Sequence, residues 1–119
     1  MFKIPVWDLL ASYSGDSQSF SFAWEVYDGY MDDISFLVPL EFTIELISID
    51  DGVTVIFKNL DSEIEYEWLT HAIHLSEFER TFKSYIDPLD PDDIRPVENS
   101  TIDLGPVIRE ELIMGTHTL

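Results

Sequence analysis

Leu40-Glu41-Phe42-Thr43-Ile44-Glu45-Leu46, followed after Asp51-Gly52 by Val53-Thr54-Val55-Ile56-Phe57, is the stretch that decides the fold. Apolar residues take every second position: Leu40, Phe42, Ile44 and Leu46, then Val53, Val55 and Phe57. Side chains of a strand point alternately to its two faces, so this period of two marks strands with one buried face. Asp-Gly between two such runs predicts a tight hairpin, because both central positions of a type I′ turn need positive φ. A third run sets Ile64, Tyr66 and Trp68 against Glu63, Glu65 and Glu67, with Asn59-Leu60-Asp61-Ser62 as the connecting turn. Together the three runs predict an antiparallel meander.

Outward from this centre the same reasoning applies. Upstream, Phe20, Phe22, Trp24 and Val26 alternate with Ser21, Ala23 and Glu25, which predicts a strand over 19–26, and Tyr27 to Asp33 reads as a turn or loop. Downstream, Leu75, Phe78 and Phe82 have helical spacing, while Phe78, Arg80, Phe82, Ser84 and Ile86 share one face of a strand. Thr81, Phe82 and Tyr85 favour sheets and tip the balance to strand. Two prolines and four aspartates in Ile86 to Asp93 predict the start of an extended, solvated acidic linker over 87–100. The last segment turns helical from Asp103 to Met114: Asp103 caps, Pro106 fits the first turn, and Leu104, Val107, Ile108, Glu111 and Leu112 repeat at 3.6 residues before Gly115 ends the run.

The expected fold is therefore α+β: a single domain over 1–119, mainly an antiparallel meander, with a short N-terminal helix and a C-terminal helix. Phe20, Phe22, Trp24, Phe42, Ile44, Val55, Phe57, Ile64, Tyr66, Val107, Ile108 and Leu112 are its expected core. A chain of 13.8 kDa buries about two-thirds of its surface on folding, enough for one core.

Charge narrows the function classes. Of 119 residues 24 are Asp or Glu and six are Lys or Arg, a formal net charge of −18. Proteins that grip nucleic acid release phosphate counterions with clustered cations, whereas Lys3, Lys58, Arg80, Lys83, Arg95 and Arg109 are scattered. Direct nucleic-acid binding is not expected, and anionic membrane surfaces would repel the chain. There is no cysteine, hence no disulfide, thiolate nucleophile or sulfur-ligated zinc. The N-terminal residues lack a basic region followed by an apolar stretch, and no apolar run reaches membrane-spanning length, so a cytoplasmic protein is expected.

Candidate chemistry is thin. His71 and His74 would share a face of a helix, but on a strand they point apart, and no third ligand has a fixed spacing; His117 lies near the chain end. Asp87, Asp90, Asp92 and Asp93 depart from the calcium-loop pattern and lack its glycine. Glu63, Glu65 and Glu67 read as a solvated sheet face. No Gly-rich phosphate loop or hydrolase serine motif occurs. The expectation is no enzyme, no catalytic residue, no metal, no cofactor and no small-molecule substrate.

The segment from Asp92 to Met114, and above all Ile102-Asp103-Leu104-Gly105-Pro106-Val107-Ile108-Arg109-Glu110-Glu111-Leu112, resembles the C-terminal signature of the YceD family, the large ribosomal RNA subunit accumulation proteins of bacteria and plastids. Val6-Trp7-Asp8-Leu9-Leu10, the Phe-rich Ser19-Phe20-Ser21-Phe22 and the meander follow that family's order. Where many members carry Cys-x-x-Cys after the strand at Ile64, this chain has Trp68-Leu69-Thr70-His71, and its tail is Gly115-Thr116-His117-Thr118-Leu119, so the resemblance is to a divergent member. It implies a non-enzymatic part in large-subunit ribosomal RNA accumulation. Charge makes contact with RNA indirect, through a basic protein such as a large-subunit ribosomal protein or an rRNA-processing factor. Expected partner-binding residues are Trp68 as aromatic anchor and Asp103 and Glu110 as rim charges, with His71 and Arg109 from the same two segments. The alternative is an acidic nucleic-acid mimic that inhibits a nucleic-acid-binding enzyme.

Overall fold

The computed structural model describes residues 2–27 and 29–116. The chain runs β1 (Lys3–Pro5), α1 (Trp7–Leu10), β2 (Ser17–Trp24), β3 (Ile34–Phe36), β4 (Leu40–Ile49) and β5 (Gly52–Tyr66). It continues through β6 (Leu69–Leu75), β7 (Phe78–Lys83), β8 (Arg95–Pro96), β9 (Thr101–Asp103) and α2 (Gly105–Thr116). The fold is α+β, dominated by antiparallel strands with a short N-terminal and a C-terminal helix. Among the described residues no helix is long and apolar enough to cross a membrane.

β5 organises the sheet. It is one strand of 15 residues, not two strands joined at Asn59-Leu60-Asp61-Ser62 as the sequence suggested. Its buried positions are Val53, Val55 and Phe57, then Leu60, Ser62 and Ile64, a switch from odd to even. A turn would explain that switch, but so does one extra residue. Register shows the second: Thr43 pairs Lys58 and Glu41 pairs Asp61, two steps on β4 against three on β5. Asn59 absorbs the surplus at φ 53°, a left-handed conformation that Asn tolerates better than most side chains. Without the bulge, every residue beyond it would face the wrong side.

Both edges of β5 are occupied along its length. β4 and then β3 pair antiparallel with one part and the next, as do β7 and β6 in reverse order. β6 and β7 keep one common register against β5, so they form a single hairpin arm interrupted at Ser76-Glu77. The ambiguous segment over 75–86 is thus strand where it is ordered as β7. β2 lies beyond β4, and β8 beyond β7 in parallel.

One face of this sheet is sealed by α1, α2 and the two-stranded β1–β9 ribbon. Ile4, Val6, Leu9, Ile102, Leu104, Val107, Ile108 and Leu112 meet Phe42, Ile44, Leu46, Val55, Phe57 and Ile64 in one core. Tyr30 and Met31, expected in a loop, are buried there too. The expected core holds for eight of its twelve positions, Phe42, Ile44, Val55, Phe57, Ile64, Val107, Ile108 and Leu112. Phe22, Trp24 and Tyr66 are only partly buried, and Phe20 is 40% exposed: the first two and Phe20 lie on the edge strand β2, and Tyr66 at the far end of β5.

Three further readings are corrected. The hairpin turn between β4 and β5 is Asp50-Asp51, closed by the pair Ile49–Gly52, and Asp51 alone of the two has positive φ (62°). The 87–100 linker folds back on the sheet: β8 joins β7, Val97 N–H bonds Lys83 carbonyl, and the Asp90 carboxylate accepts from Lys83 and from Asp87 N–H. Those bonds hold the Asp90 carboxyl below the usual carboxylate range, with the Lys83 hydrogen bond the larger cause. The C-terminal helix starts two residues later than expected, at Gly105, because Asp103 is the end of β9 and bonds Gly105 N–H from outside the helix. His117 lies outside the described residues.

Gly52 is needed for close approach, not for turn geometry. A Cβ there would stand 2.0 Å from the backbone oxygen of Phe82, so only glycine lets β7 close against β5 at that level. Gly52→Ala is expected to cost about 2–3 kcal/mol of unfolding free energy in urea titrations. A loss below about 0.5 kcal/mol, the ordinary range for a neutral surface change, would contradict this packing.

Candidate interaction surface

Opposite the sealed face, no helix or strand among the described residues covers the sheet. Alternation assigns to this outer face Glu41, Thr43, Glu45, Ile47 and Ile49 of β4, and Thr54, Ile56, Lys58, Asp61, Glu63 and Glu65 of β5. β6 and β7 add Thr70, Ala72 and His74, then Glu79, Thr81 and Lys83. The cations of the chain are largely spoken for. Lys58 meets Glu45 at 3.6 Å, Lys83 meets Asp90 at 3.0 Å, His74 pairs with Asp61, Arg80 with Glu111, and Arg95 with Glu110. Among the described residues these ion pairs engage five carboxylates of the 24 in the chain, so the outer face and its surroundings keep a negative potential.

The β5–β6 hairpin concentrates this charge beside aromatic surface. Tyr66 and Leu69 pair across a two-residue turn whose central residues, Glu67 (φ 51°) and Trp68 (φ 66°), are both left-handed. That is the type I′ geometry, for which Asn-Gly is the favoured sequence. A Glu and a Trp in it cost about 1 kcal/mol or more each. Neither residue is a turn former, so local preference does not reveal this turn, and alternation places Trp68 on the strand face of Ile64 and Tyr66. Instead Trp68 is 93% exposed at the tip and Leu69 is exposed beside it.

At the tip, Asp33, Glu65, Tyr66, Glu67 and Trp68 line a recess open to solvent. Three acidic and two aromatic residues border this hollow, and the acids attract an ammonium or guanidinium group by charge. Asp33 arrives from the loop before β3, at φ 62°. Nothing in the alternation pointed to it.

The other expected partner-binding residues fall into two groups. His71 is half-buried on β6 with its ring centroid 6.4 Å from that of Tyr66, close to the recess. His74 is on the opposite face, as strand geometry requires. Asp103, Arg109 and Glu110 belong to the α2 side and are engaged within the fold. The Asp103 carboxylate accepts from the N–H groups of Phe2 and Gly105, both at 3.1 Å. Glu110 is held by Arg95. Arg109 Nε donates to the Tyr30 carbonyl at 3.0 Å, while the Tyr30 hydroxyl donates to the carbonyl of Gly105. These contacts clamp the start of α2 to the buried loop. Burial pushes the Tyr30 phenol well above its ordinary value near 10, reinforced by Tyr27 and opposed by Arg109.

A second hollow lies between β8, β9 and the start of α2, with Lys3, Arg95, Glu98 and Asp103 around Phe82, Pro106 and Val107. Its charged groups are of both signs. Among the described residues no three His, Asp or Glu side chains form a group placed to hold a metal ion. Compared with known proteins, the chain matches no family model, no curated protein and no solved structure.

Two outcomes follow for this region. Replacing the strained pair by the favoured one, Glu67→Asn with Trp68→Gly, is expected to raise stability by about 1 kcal/mol in chemical denaturation; a loss would mean that the Trp68 side chain packs against the fold. Tyr30→Phe is expected to cost about 1 kcal/mol at neutral pH by removing the bond to Gly105. Because the folded phenol titrates above the unfolded one, its stabilisation is complete below pH 10 and is lost as pH rises beyond it. The variant's alkaline stability curve should therefore fall less steeply than the parent's, and identical slopes would remove Tyr30 from that role.

Proposed function

We propose that this protein is a non-enzymatic cytoplasmic factor that holds a basic protein segment at the β5–β6 hairpin tip and along the acidic outer face, in the service of large-subunit ribosomal RNA accumulation. The recess of Asp33, Glu65, Tyr66, Glu67 and Trp68 carries the reading. A Lys or Arg of the partner enters it, and Glu63, Glu41 and Glu79 on the outer face steer neighbouring cations by long-range attraction. Backbone strain kept at an exposed turn, where Asn-Gly would be more stable, supports a role for Trp68 beyond folding. The biological setting rests on the resemblance of Ile102 to Leu112 to the YceD family. Contact with RNA is through the partner, since most cations are engaged in internal ion pairs.

The mimic reading needs a continuous run of carboxylates that imitates phosphates. Lys58, Lys83 and His74 interrupt the outer face, which favours a basic peptide over this alternative.

The test is binding of the full chain to purified basic large-subunit ribosomal proteins, with naked large-subunit rRNA as the control. Trp68→Ala is expected to weaken binding by about tenfold or more, mainly through faster dissociation. Glu63→Gln with Glu65→Gln is expected to slow association and flatten its salt dependence. Unchanged rates in both variants, or equally tight binding of naked rRNA, would overturn the proposal.

A further inference from the structure

The two ends of the sheet are built differently. At one end β8 is two residues long and consists of an arginine and a proline, devices that stop a further strand from adding. At the other end β2 is eight residues long and pairs β4 without a register break from Ser17–Ile47 to Trp24–Leu40. Among the described residues no strand lies beside its far edge in the sheet order. Alternate N–H and C=O groups along that edge point outward, as in any antiparallel pair. None of the usual protections is present: Ser17-Gln18-Ser19-Phe20-Ser21-Phe22-Ala23-Trp24 has no charge, no proline and no bulge, in a chain of net charge −18. On the core side of the same strand Phe20 is 40% exposed and stacks on Phe22 with ring centroids 6.3 Å apart.

We propose that β2 pairs antiparallel with β2 of a second copy of this chain, forming a two-fold dimer with one continuous sheet centred on Ser21. Side-chain direction alternates, so the sealed faces of both copies lie on the same side only if residues of matching parity oppose each other. Centring on Ser21 meets this condition and places each Phe20 opposite Phe22 of the other copy, Ser19 opposite Ala23, and Gln18 opposite Trp24. Each half-exposed Phe20 then gains an aromatic neighbour, a cross-strand pair of the kind that stabilises sheets. The acids that flank the strand also avoid one another, since Asp16 falls opposite Val26 and Glu25 opposite Ser17.

Charge selects the occupant. A basic segment would find no carboxylate on the edge to pair with, and its natural place is the outer face. A like-charged copy is repelled everywhere except where carboxylates are missing, and β2 is such a place. At physiological salt the screening length is about 8 Å, which confines the repulsion to acids close to the axis.

The experiment is sedimentation velocity on the full chain over a range of concentrations at low and high salt. The expected result is a monomer–dimer equilibrium whose dimer is favoured by salt, the opposite dependence to that of a basic partner on the outer face. Ser21→Lys sets two like charges across the axis and is expected to raise the dissociation constant by about tenfold or more, with the circular dichroism spectrum of the monomer unchanged, since Ser21 is exposed and the one side-chain hydrogen bond lost, to Thr43, is an exposed one. Because the chain has no cysteine, Ser21→Cys supplies a single thiol per copy. With oxidised glutathione as acceptor of the two electrons and two protons, two such thiols are expected to join as a disulfide-linked dimer. Ser17→Cys, which falls opposite Glu25, is expected to cross-link far more slowly. A monomer at every concentration, a dimer indifferent to Ser21→Lys, or equal cross-linking of the two cysteine variants would overturn the proposal.

Discussion

A one-residue slip in β5, taken up at Asn59, is the constraint on which the other elements depend. Before it, odd-numbered residues face the core, and after it even-numbered ones do. The slip lets a single 15-residue strand keep Val53, Val55, Phe57, Leu60 and Ile64 on one face while its partners change from β4 and β7 to β3 and β6. A strand of that length extends about 50 Å at 3.3 Å per residue, and the molecule measures 48 Å along its longest axis. β5 is therefore about as long as the molecule, and it sets the order of the sheet.

The rest of the hydrophobic sequence completes that one face. α1, α2 and the β1–β9 ribbon contribute too little apolar surface to cover two faces, and they collect on one. The α2 layer is tied down by polar contacts as well as by packing: Arg80 to Glu111 and Arg95 to Glu110 bind it to the sheet edge, and Tyr30 with Arg109 binds its first turn. These ties use cations that would otherwise offset the acids elsewhere. The same arrangement that fastens the helix leaves the opposite face negative, so fold and electrostatic character share one cause.

Turn chemistry marks where the sequence follows local preference and where it departs from it. Positive φ falls on Asp33, Asp51, Asn59 and Asn99, residue types that adopt the left-handed region with modest strain. It also falls on Ser100, Glu67 and Trp68. The last two together close a hairpin at the most exposed tryptophan of the chain, against the preference of either side chain. Local inconsistency in an otherwise consistent sequence is expected where a residue serves binding.

Alternation by itself determined strand over 40–46 and 53–57 and the outward acids Glu63 and Glu65, and 3.6-residue spacing determined the C-terminal helix, because period and burial are linked one residue at a time. It could not tell a turn from a bulge at Asn59, since both shift the phase by one, and only the pairing of β4 with β5 distinguishes them. Nor could it assign Gly52, whose role is the approach of Phe82 from a strand 30 residues away. The acidity of the chain was plain in its composition. Which acids converge, and on what, depended on contacts distant in sequence: Asp33 borders the same hollow as Glu65 and Trp68 because β3 pairs with the far end of β5. Local periodicity fixes the direction of a side chain, whereas its neighbours are set by how strands pair across the whole sheet.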